Sequence, residues 1–549
     1  MVSLEIDRKR LVRELGVGDT PELLTQIAQF GVEVDAETPE TLTLDITPNR
    51  PDLLSYRGFL RGFSAFLERQ PGLRHYTTTP SKLKVTVHES LRDIRPATSC
   101  AVVTGLTLDD AGLQEIIDLQ EKLHITFCRR RKRAAIGIYP LDRISGNILF
   151  TARKPKDIMF QPLDADRVLS ATQILTETAK GKEFAHLLEG ISEYPVFVDA
   201  KGKILSMPPV INSVDVGKVT KETTEVFIEA SGSDQRICDE IVRIICCALA
   251  DSGAQIKSVI VESGKRSFTT PDLSAHKHEF YGYYVERRLG VHIKTAAYPT
   301  LLAKMGLGHE PGRVKDTHRA LVPPYRVDFL HQVDIIEDIA IALGYDTIPA
   351  TQPTLVTTAS TTPMSRLTQI VRRAMLGFGL VEAKGYHLTN GAFQSAIGEG
   401  AAVRLRSSVS SEYDTLRVSL IPTLLETLRV NASYPYPQGW FEIGVAFSPL
   451  PRAISERTLV CVALAGEGDY TRARQIAENI TRTLGIPTSV TVRADARFLT
   501  GRCATLLSGE REIGVIGELA PRAITAAGIV VPVAIAQLDV TAILTLLEK

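Results

Sequence analysis

Val322-Pro323-Pro324-Tyr325-Arg326-Val327-Asp328 and, close behind it, Asp334-Ile335-Ile336-Glu337-Asp338 set four carboxylates against an apolar helical pattern. Asp334, Glu337 and Asp338 stand at i, i+3 and i+4 of a helix predicted over Val333–Gly344, a spacing that puts them on one face. Ile335, Ile336, Ile339, Ala340 and Leu343 fill the other faces and are predicted to be buried. Asp328 lies six residues upstream of Asp334, at the end of Tyr325-Arg326-Val327, a candidate strand. Carboxylates that converge repel one another unless a neighbouring Lys or Arg, or a hard divalent cation such as Mg²⁺, neutralises them. The plainer reading is a solvated acidic first turn favoured by the helix dipole.

Around this stretch, Arg266–Pro349 holds two short apolar helices, Tyr283–Leu289 and Tyr298–Lys304, each ended by a glycine, as in winged-helix-like units. Toward the N-terminus, Lys82–Gly264 mixes strands (Leu83–His88, Cys100–Leu106) with helices (Leu113–Leu123, Ile237–Ala250) and reads as one α+β domain. His75–Ser81 reads as a linker. Before it come a helix starting at Asp19-Thr20-Pro21, the alternating strand Thr41–Ile46, a two-proline turn and an amphipathic helix through Phe59, Phe63 and Leu67. Toward the C-terminus, a Thr/Pro/Ser-rich linker, Thr351–Thr362, leads into helices Leu367–Leu376 and Leu420–Asn431. Strands are predicted at Val381–Leu388, Gly439–Phe447, Val460–Ala465, Val490–Arg493, Cys503–Leu507 and Ile513–Ile516, giving an antiparallel sheet with helices packed on it.

A length of 549 residues implies about three to five domains. With 63 basic and 63 acidic residues the formal charge is zero, which excludes a protein that holds nucleic acid by bulk charge; any such contact must be local. No stretch approaches a membrane span and no secretory signal opens the chain. Seven scattered cysteines with no Cys-x-x-Cys argue against a zinc ribbon or a disulfide framework and suit a reducing cytoplasm.

Three other stretches bear on chemistry. Arg129-Arg130-Arg131-Lys132-Arg133 is the dense basic run, either a phosphate contact or a solvated loop. In Ser206-Met207-Pro208-Pro209-Val210-Ile211-Asn212-Ser213 a double proline fixes the backbone between Ser206 and the pair Asn212, Ser213, as a small-molecule pocket or a plain turn. Leu416–Pro422 and Gly439–Gly444 frame an active site or pack a sheet. Phosphate-loop, zinc-protease and nucleophile-elbow motifs are absent from the sequence.

In order, these stretches resemble the β subunit of phenylalanyl-tRNA synthetase, archaeal and eukaryotic type, over essentially the whole chain. Ile46–Ser55 resembles the family's N-terminal signature, Ser206–Ser213 the core of its editing domain, and Val322–Asp328 with Asp334–Asp338 and Gly344-Tyr345-Asp346 its magnesium-site domain. Leu416–Pro422, Phe441–Gly444, Gly501-Arg502 and Ile516-Gly517-Glu518 resemble its synthetase-like domain. The resemblance implies a multidomain α+β chain: an N-terminal α/β domain (1–75), an α+β editing domain of B3/B4 type (82–264), a winged-helix-like B5 domain (266–349) and a catalytically inert class II synthetase-like domain (355–549). It implies phenylalanine–tRNA ligase activity in an α2β2 tetramer, with ATP and phenylalanine reacting on the α subunit. This chain would supply assembly, tRNA docking and hydrolysis of mischarged tyrosyl-tRNA. Implied sites are Mg²⁺ on Asp328, Asp334, Glu337 and Asp338, and an editing pocket at Ser206, Asn212 and Ser213. One departure stands before Tyr413, where Arg406-Ser407-Ser408-Val409 replaces the Asn-Pro of many relatives. Alternatives from other classes are a stand-alone RNA-binding scaffold and a metal-dependent hydrolase at the acidic cluster, for which His331 is the available base.

Overall fold

The computed structural model describes residues 2–216, 218–353, 358–466 and 469–548. It falls into two compact units, Met1–Gln352 and Pro353–Lys549. The predicted linker Thr351–Thr362 lies partly outside the described residues. Helix Pro363–Gly377 follows it, with Thr362 accepting the Ser365 N–H at 3.2 Å as N-cap.

The first unit contains one supersecondary pattern twice. Val2–Asp7, helices Arg8–Leu15 and Pro21–Gln29, strands Glu33–Glu37 and Thr41–Ile46, then helix Tyr56–Phe66 form the first copy. His276–Tyr281, helices Gly282–Leu289 and Tyr298–Lys304, strands Gly308–Pro311 and Thr317–Val322, then helix Gln332–Leu343 form the second. In both, the last strand is central and antiparallel to its two neighbours. The likeness reaches side chains. Thr47-Pro48-Asn49-Arg50-Pro51-Asp52-Leu53-Leu54-Ser55 runs parallel to Pro323-Pro324-Tyr325-Arg326-Val327-Asp328-Phe329-Leu330-His331. Arg50 clamps Asp52 with two bonds of 2.9 Å, and Arg326 clamps Asp328 at 2.9 and 2.7 Å. Ser55 and His331 then cap the helices that follow. Tyr325-Arg326-Val327 is a turn running into irregular chain, not the strand predicted: the Arg326 N–H bonds back to the Pro323 carbonyl at 3.1 Å instead of to a neighbouring strand.

Between the copies lies a ten-stranded sheet with the path Ile211–Asn212, Ile204–Met207, Tyr194–Val198, Ile148–Arg153, Thr78–Val87, Gln255–Ser263, Ala97–Thr104, Glu225–Gly232, Ala134–Pro140. Arg266–Thr270 pairs with Gln255–Ser263 as a hairpin, and Thr78–Pro80, within the predicted linker, is already strand. The sheet curls until its ends meet: Arg131, just before the end strand Ala134–Pro140, donates to the Pro209 and Val210 carbonyls between the two strands at the other end. Phe150, Phe197 and Phe227 fill the space between, with Phe150 and Phe197 stacked at 4.0 Å. Helix Gln235–Ala250, apolar along one face, covers the other side and buries Cys246 and Cys247. Its C-cap, Asp251, receives the buried Arg61 guanidinium at 2.7 Å, and Arg61 in turn lies 3.5 Å over the Tyr325 ring.

The second unit is a seven-stranded sheet: Val381–Glu382, Gln438–Leu450, Ala453–Ala465, Val533–Asp539, Arg511–Leu519, Phe498–Ser508, Ser489–Val492. It is antiparallel except for the first pair, with an apolar cluster on each face. The strand predicted over Val381–Leu388 is two short pieces, 381–382 and 388–389. The chain leaves the sheet between them so that the Gly385 N–H can reach Glu442 Oε1 at 3.2 Å.

Candidate functional site

Glu229 stands opposite Gly137 in the ladder between Glu225–Gly232 and Ala134–Pro140. Gly137 has no side chain to fill that position, and the Tyr139 ring folds into it; a Cβ on Gly137 would collide with the phenol and with Glu229. Tyr139 stacks on Phe227, and its hydroxyl donates to Glu229 Oε1 at 3.1 Å. Glu229 Oε2 and Ser206 Oγ are buried with no aligned hydrogen-bond partner. Burial pushes the Glu229 carboxyl up to about 8, opposed by the Tyr139 hydrogen bond, by Arg95 and by the Ser231 hydroxyl. Burial likewise raises the Tyr139 phenol. The result is a small polar centre inside an aromatic core, with unmet hydrogen-bonding capacity.

Of the residues predicted for this pocket, Ser206 and Asn212 meet as cross-strand partners. Ser206 is 1% exposed and Asn212 half-buried. Ser213 is turned to local use: its N–H donates to the Leu205 carbonyl at 2.8 Å and its Oγ accepts the Asp215 N–H at 3.2 Å. Glu229 and Tyr139 were not singled out from sequence. The available signal was a lone charged residue in the apolar strand Val226-Phe227-Ile228-Glu229-Ala230.

The basic run is not a plain loop. Arg131 points inward, donating to the Val210 carbonyl at 2.9 Å, to the Pro209 carbonyl at 3.3 Å and to Glu121 Oε1 at 3.0 Å. It thereby stitches the two ends of the curled sheet at the double-proline turn. His124 accepts the Ile136 N–H through Nε2 at 2.9 Å, leaving Nδ1 toward Glu121. Burial holds His124 down to about 4.

The acidic cluster is arranged differently from four converging ligands. Arg326 bridges Asp328 and Asp338, with Nη2 3.1 Å from Asp338 Oδ1 and Nη1 3.0 Å from Oδ2. Burial would raise Asp328, but the guanidinium overrides it and holds that carboxyl below the usual range. Asp338, more deeply buried, stays raised. Asp334 caps the helix, its Oδ2 accepting the Leu330 and His331 N–H groups at 2.7 Å each. Glu337 is exposed, and burial together with Asp338, Asp334 and Asp328 raises it. Among the described residues no three acidic, His or Cys side chains are placed to grip one ion. The donor set nonetheless fits a hydrated Mg²⁺, which takes one or two carboxylates and keeps its waters: Glu337 is open to solvent and Asp334 half-buried, while Arg326 occupies both oxygens of Asp338. His331 spends Nδ1 on the Val333 N–H at 3.3 Å, so it is not poised as a hydrolytic base.

In the second unit the two stretches that framed a possible active site neutralise each other. Arg417 and Glu442 are both 0% exposed and pair at 2.6 Å. Arg417 Nε also donates to the Val445 carbonyl at 2.8 Å, and Thr423 donates to Glu442 Oε2 at 2.8 Å. Gly444 is required there, because a Cβ would run into the guanidinium. Arg497, pairing with Glu399 and Asp495 at 3.1 and 2.7 Å, is consumed in the same way.

Comparison with known proteins accords with this layout. Residues 348–540 match the family described as "Phenylalanyl tRNA synthetase beta chain CLM domain", 280–345 the "tRNA synthetase B5 domain" and 110–244 the "B3/4 domain". The chain is 35% identical over 493 residues to the phenylalanine–tRNA ligase beta subunit of Thermococcus sibiricus, covering 88% of each chain. It is 31% identical over 530 residues to that of Archaeoglobus fulgidus, covering 95% of each. A solved N-terminal fragment of the phenylalanyl-tRNA synthetase beta subunit from Pyrococcus horikoshii superposes with a TM-score of 0.59 at 33% identity, over 62% of this chain and 99% of the fragment. The chain therefore belongs to the family of phenylalanine–tRNA ligase beta subunits, part of the heteromeric enzyme that charges tRNA with phenylalanine.

Proposed function

We propose that the curled-sheet domain of this chain hydrolyses tyrosyl-tRNA formed in error. The observation that carries this reading is a buried polar group, Glu229 with the Tyr139 hydroxyl on its Oε1 and the Ser206 hydroxyl facing the same phenol, in an otherwise aromatic interior. Tyrosine differs from phenylalanine by one hydroxyl, and an apolar synthetic pocket rejects an added hydroxyl by only about 10²-fold in a comparable case. A second site that pairs the hydroxyl does better. A substrate tyrosine can replace the Tyr139 hydroxyl on Glu229 in kind, whereas phenylalanine in that place would leave the carboxyl buried with a bond lost, at a cost of about 1–3 kcal/mol. Tyr139 occupies that place here, its ring over Gly137, so a tyrosyl side chain would take up the same hydroxyl-to-carboxyl contact in its stead. Ser206 and Asn212 line the approach, and Ser213 shapes the turn. With no Cys–His or Ser–His–Asp arrangement beside them among the described residues, the attacking group is a water. In the assembled enzyme, Ser206→Ala or Asn212→Ala should let tyrosyl-tRNA accumulate while phenylalanine charging persists; clearance at the wild-type rate in both variants would refute these assignments.

The rest of the reading follows the family. The partner is an α subunit in an α2β2 tetramer, with ATP and phenylalanine bound there. The internal pairing of Arg417 with Glu442 supports an inert synthetase-like domain, since this buried arginine is neutralised rather than presented to charge developing on a phosphate. Mg²⁺ is held through Glu337 and Asp334, with Asp328 and Asp338 behind them, and supplies structural charge balance. The domain limits 1–75, 82–264, 266–349 and 355–549 remain our division of the chain. Seven buried, unpaired cysteines support residence in a reducing cytoplasm, and no described helix is long and apolar enough to cross a membrane.

A further inference from the structure

Arg129, Arg130 and Arg131 have φ of 50°, 51° and 63°, three successive non-glycine residues in the left-handed region. Each costs about 1–2 kcal/mol relative to right-handed backbone, and such strain persists only where the surroundings enforce it. Here they do. The Arg130 N–H reaches the Ile125 carbonyl at 3.3 Å, the Arg131 N–H that of His124 at 3.2 Å, and the Arg133 N–H that of Cys128 at 2.9 Å. Cys128 is fully buried, and the Arg131 guanidinium lies 4.4 Å over Phe184.

The consequence is a sorting of charge. One cation, Arg131, is drawn inside to grip the Pro209 and Val210 carbonyls. Arg129, Arg130 and Lys132 are left exposed on the same turn, and none of them makes an ion pair among the described residues. Lys182, also exposed, stands on the neighbouring helix Ala179–Phe184, whose Phe184 carries Arg131. In a chain of zero formal charge this is a local, rigidly held excess of positive charge. It is one hydrogen bond from the double-proline turn that carries Ser206 and Asn212. A solvated loop needs neither the strain nor the anchor.

We infer that the Arg129–Lys132 turn is a phosphate-binding rim that receives the single-stranded 3′ end of aminoacylated tRNA at the editing pocket. This rests on the editing reading for its destination, but the contact itself is electrostatic and can be read separately. Polyanion contacts release counterions, so each phosphate neutralised steepens the salt dependence of binding, by about 0.7 in log–log slope for a single strand.

The test uses the assembled enzyme carrying Arg129→Asn, Arg130→Asn and Lys132→Gln. Asparagine tolerates left-handed backbone, so charge is removed without forcing the turn, and Arg131 is left in place. Binding of uncharged tRNA and hydrolysis of pre-charged tyrosyl-tRNA are measured across a salt series, with melting temperature and co-elution of the α subunit as controls. The expected result is a tRNA-binding slope shallower by about 2 and, at moderate salt, a KM for tyrosyl-tRNA raised about tenfold, with an unchanged melting temperature. An unchanged slope in a folded, assembled variant overturns the inference, as does loss of the α subunit with tRNA binding intact, which would make the turn a protein contact. A wild type that binds tRNA with a turn-dependent slope yet never hydrolyses tyrosyl-tRNA overturns the editing reading and the destination, but not the phosphate rim.

Discussion

Glu229 shows how much one side chain can carry. Burial lifts its carboxyl to about 8, against roughly 4 in an unfolded chain. Folding therefore takes up a proton between those two pH values. The stability this group confers is full below about pH 4 and is lost as pH rises through about 8. Glu229→Gln removes the titration, so the variant should gain on the wild type as pH rises from 5 to 8.5, with the gap closing at the acid end; denaturant unfolding followed by tryptophan-independent circular dichroism at several pH values checks it. Gly137→Ala should also destabilise, by about 1–3 kcal/mol from overpacking, because its methyl would displace Tyr139. The double proline made Ser206 and Asn212 visible in the sequence, since proline pairs mark fixed backbone. Tyr139 and Glu229 were hidden because each sits in a strand buried along almost its whole length, where the sequence does not say which face a residue takes, and only the closure of the sheet brings them to Ser206.

At the scale of elements, the two Arg-x-Asp clamps fix the turns that lead into helices Tyr56–Phe66 and Gln332–Leu343, whose starts are set by the Ser55 and His331 caps. They also differ in burial: the Arg326 side chain is 2% exposed and Arg50 12%. Breaking a buried pair costs about 3–5 kcal/mol, so Arg326→Ala should destabilise its copy toward that limit, and Arg50→Ala less. Hydrogen exchange of the two central strands, Thr317–Val322 and Thr41–Ile46, reports each separately. For the acidic cluster, millimolar Mg²⁺ should raise the melting temperature of the wild type, and Asp334→Asn with Glu337→Gln should abolish the rise; an equal rise in both would remove the metal from these residues. The helix, its apolar faces and its carboxylate spacing were legible, because a period of 3.6 survives in sequence. The role of Arg326 was not, since nothing in the sequence tells an ion-pairing arginine from a solvated one. The duplication escaped because its signature is a nine-residue match, far short of a full repeat.

At the scale of the whole molecule, the α+β class, the antiparallel C-terminal sheet and the order of the families could be read from the chain. Its curling and end-to-end closure through Arg131 could not, being set by contacts between distant segments. The C-terminal unit is a seven-stranded, largely antiparallel sheet with Arg417 spent on Glu442. Purified chain without a partner should therefore form no phenylalanyl-adenylate from ATP and phenylalanine, and pyrophosphate exchange above background would reject the division of labour proposed here. The central claim is that this chain destroys tyrosyl-tRNA by recognising a hydroxyl. It is tested most directly by giving the assembled enzyme pre-charged tyrosyl-tRNA and phenylalanyl-tRNA and comparing hydrolysis rates. The account predicts that tyrosyl-tRNA is cleared at least about tenfold faster, the equivalent of about 1.4 kcal/mol from one paired hydroxyl, and that Glu229→Ala erases the difference. Equal rates for the two substrates in the wild type would contradict it.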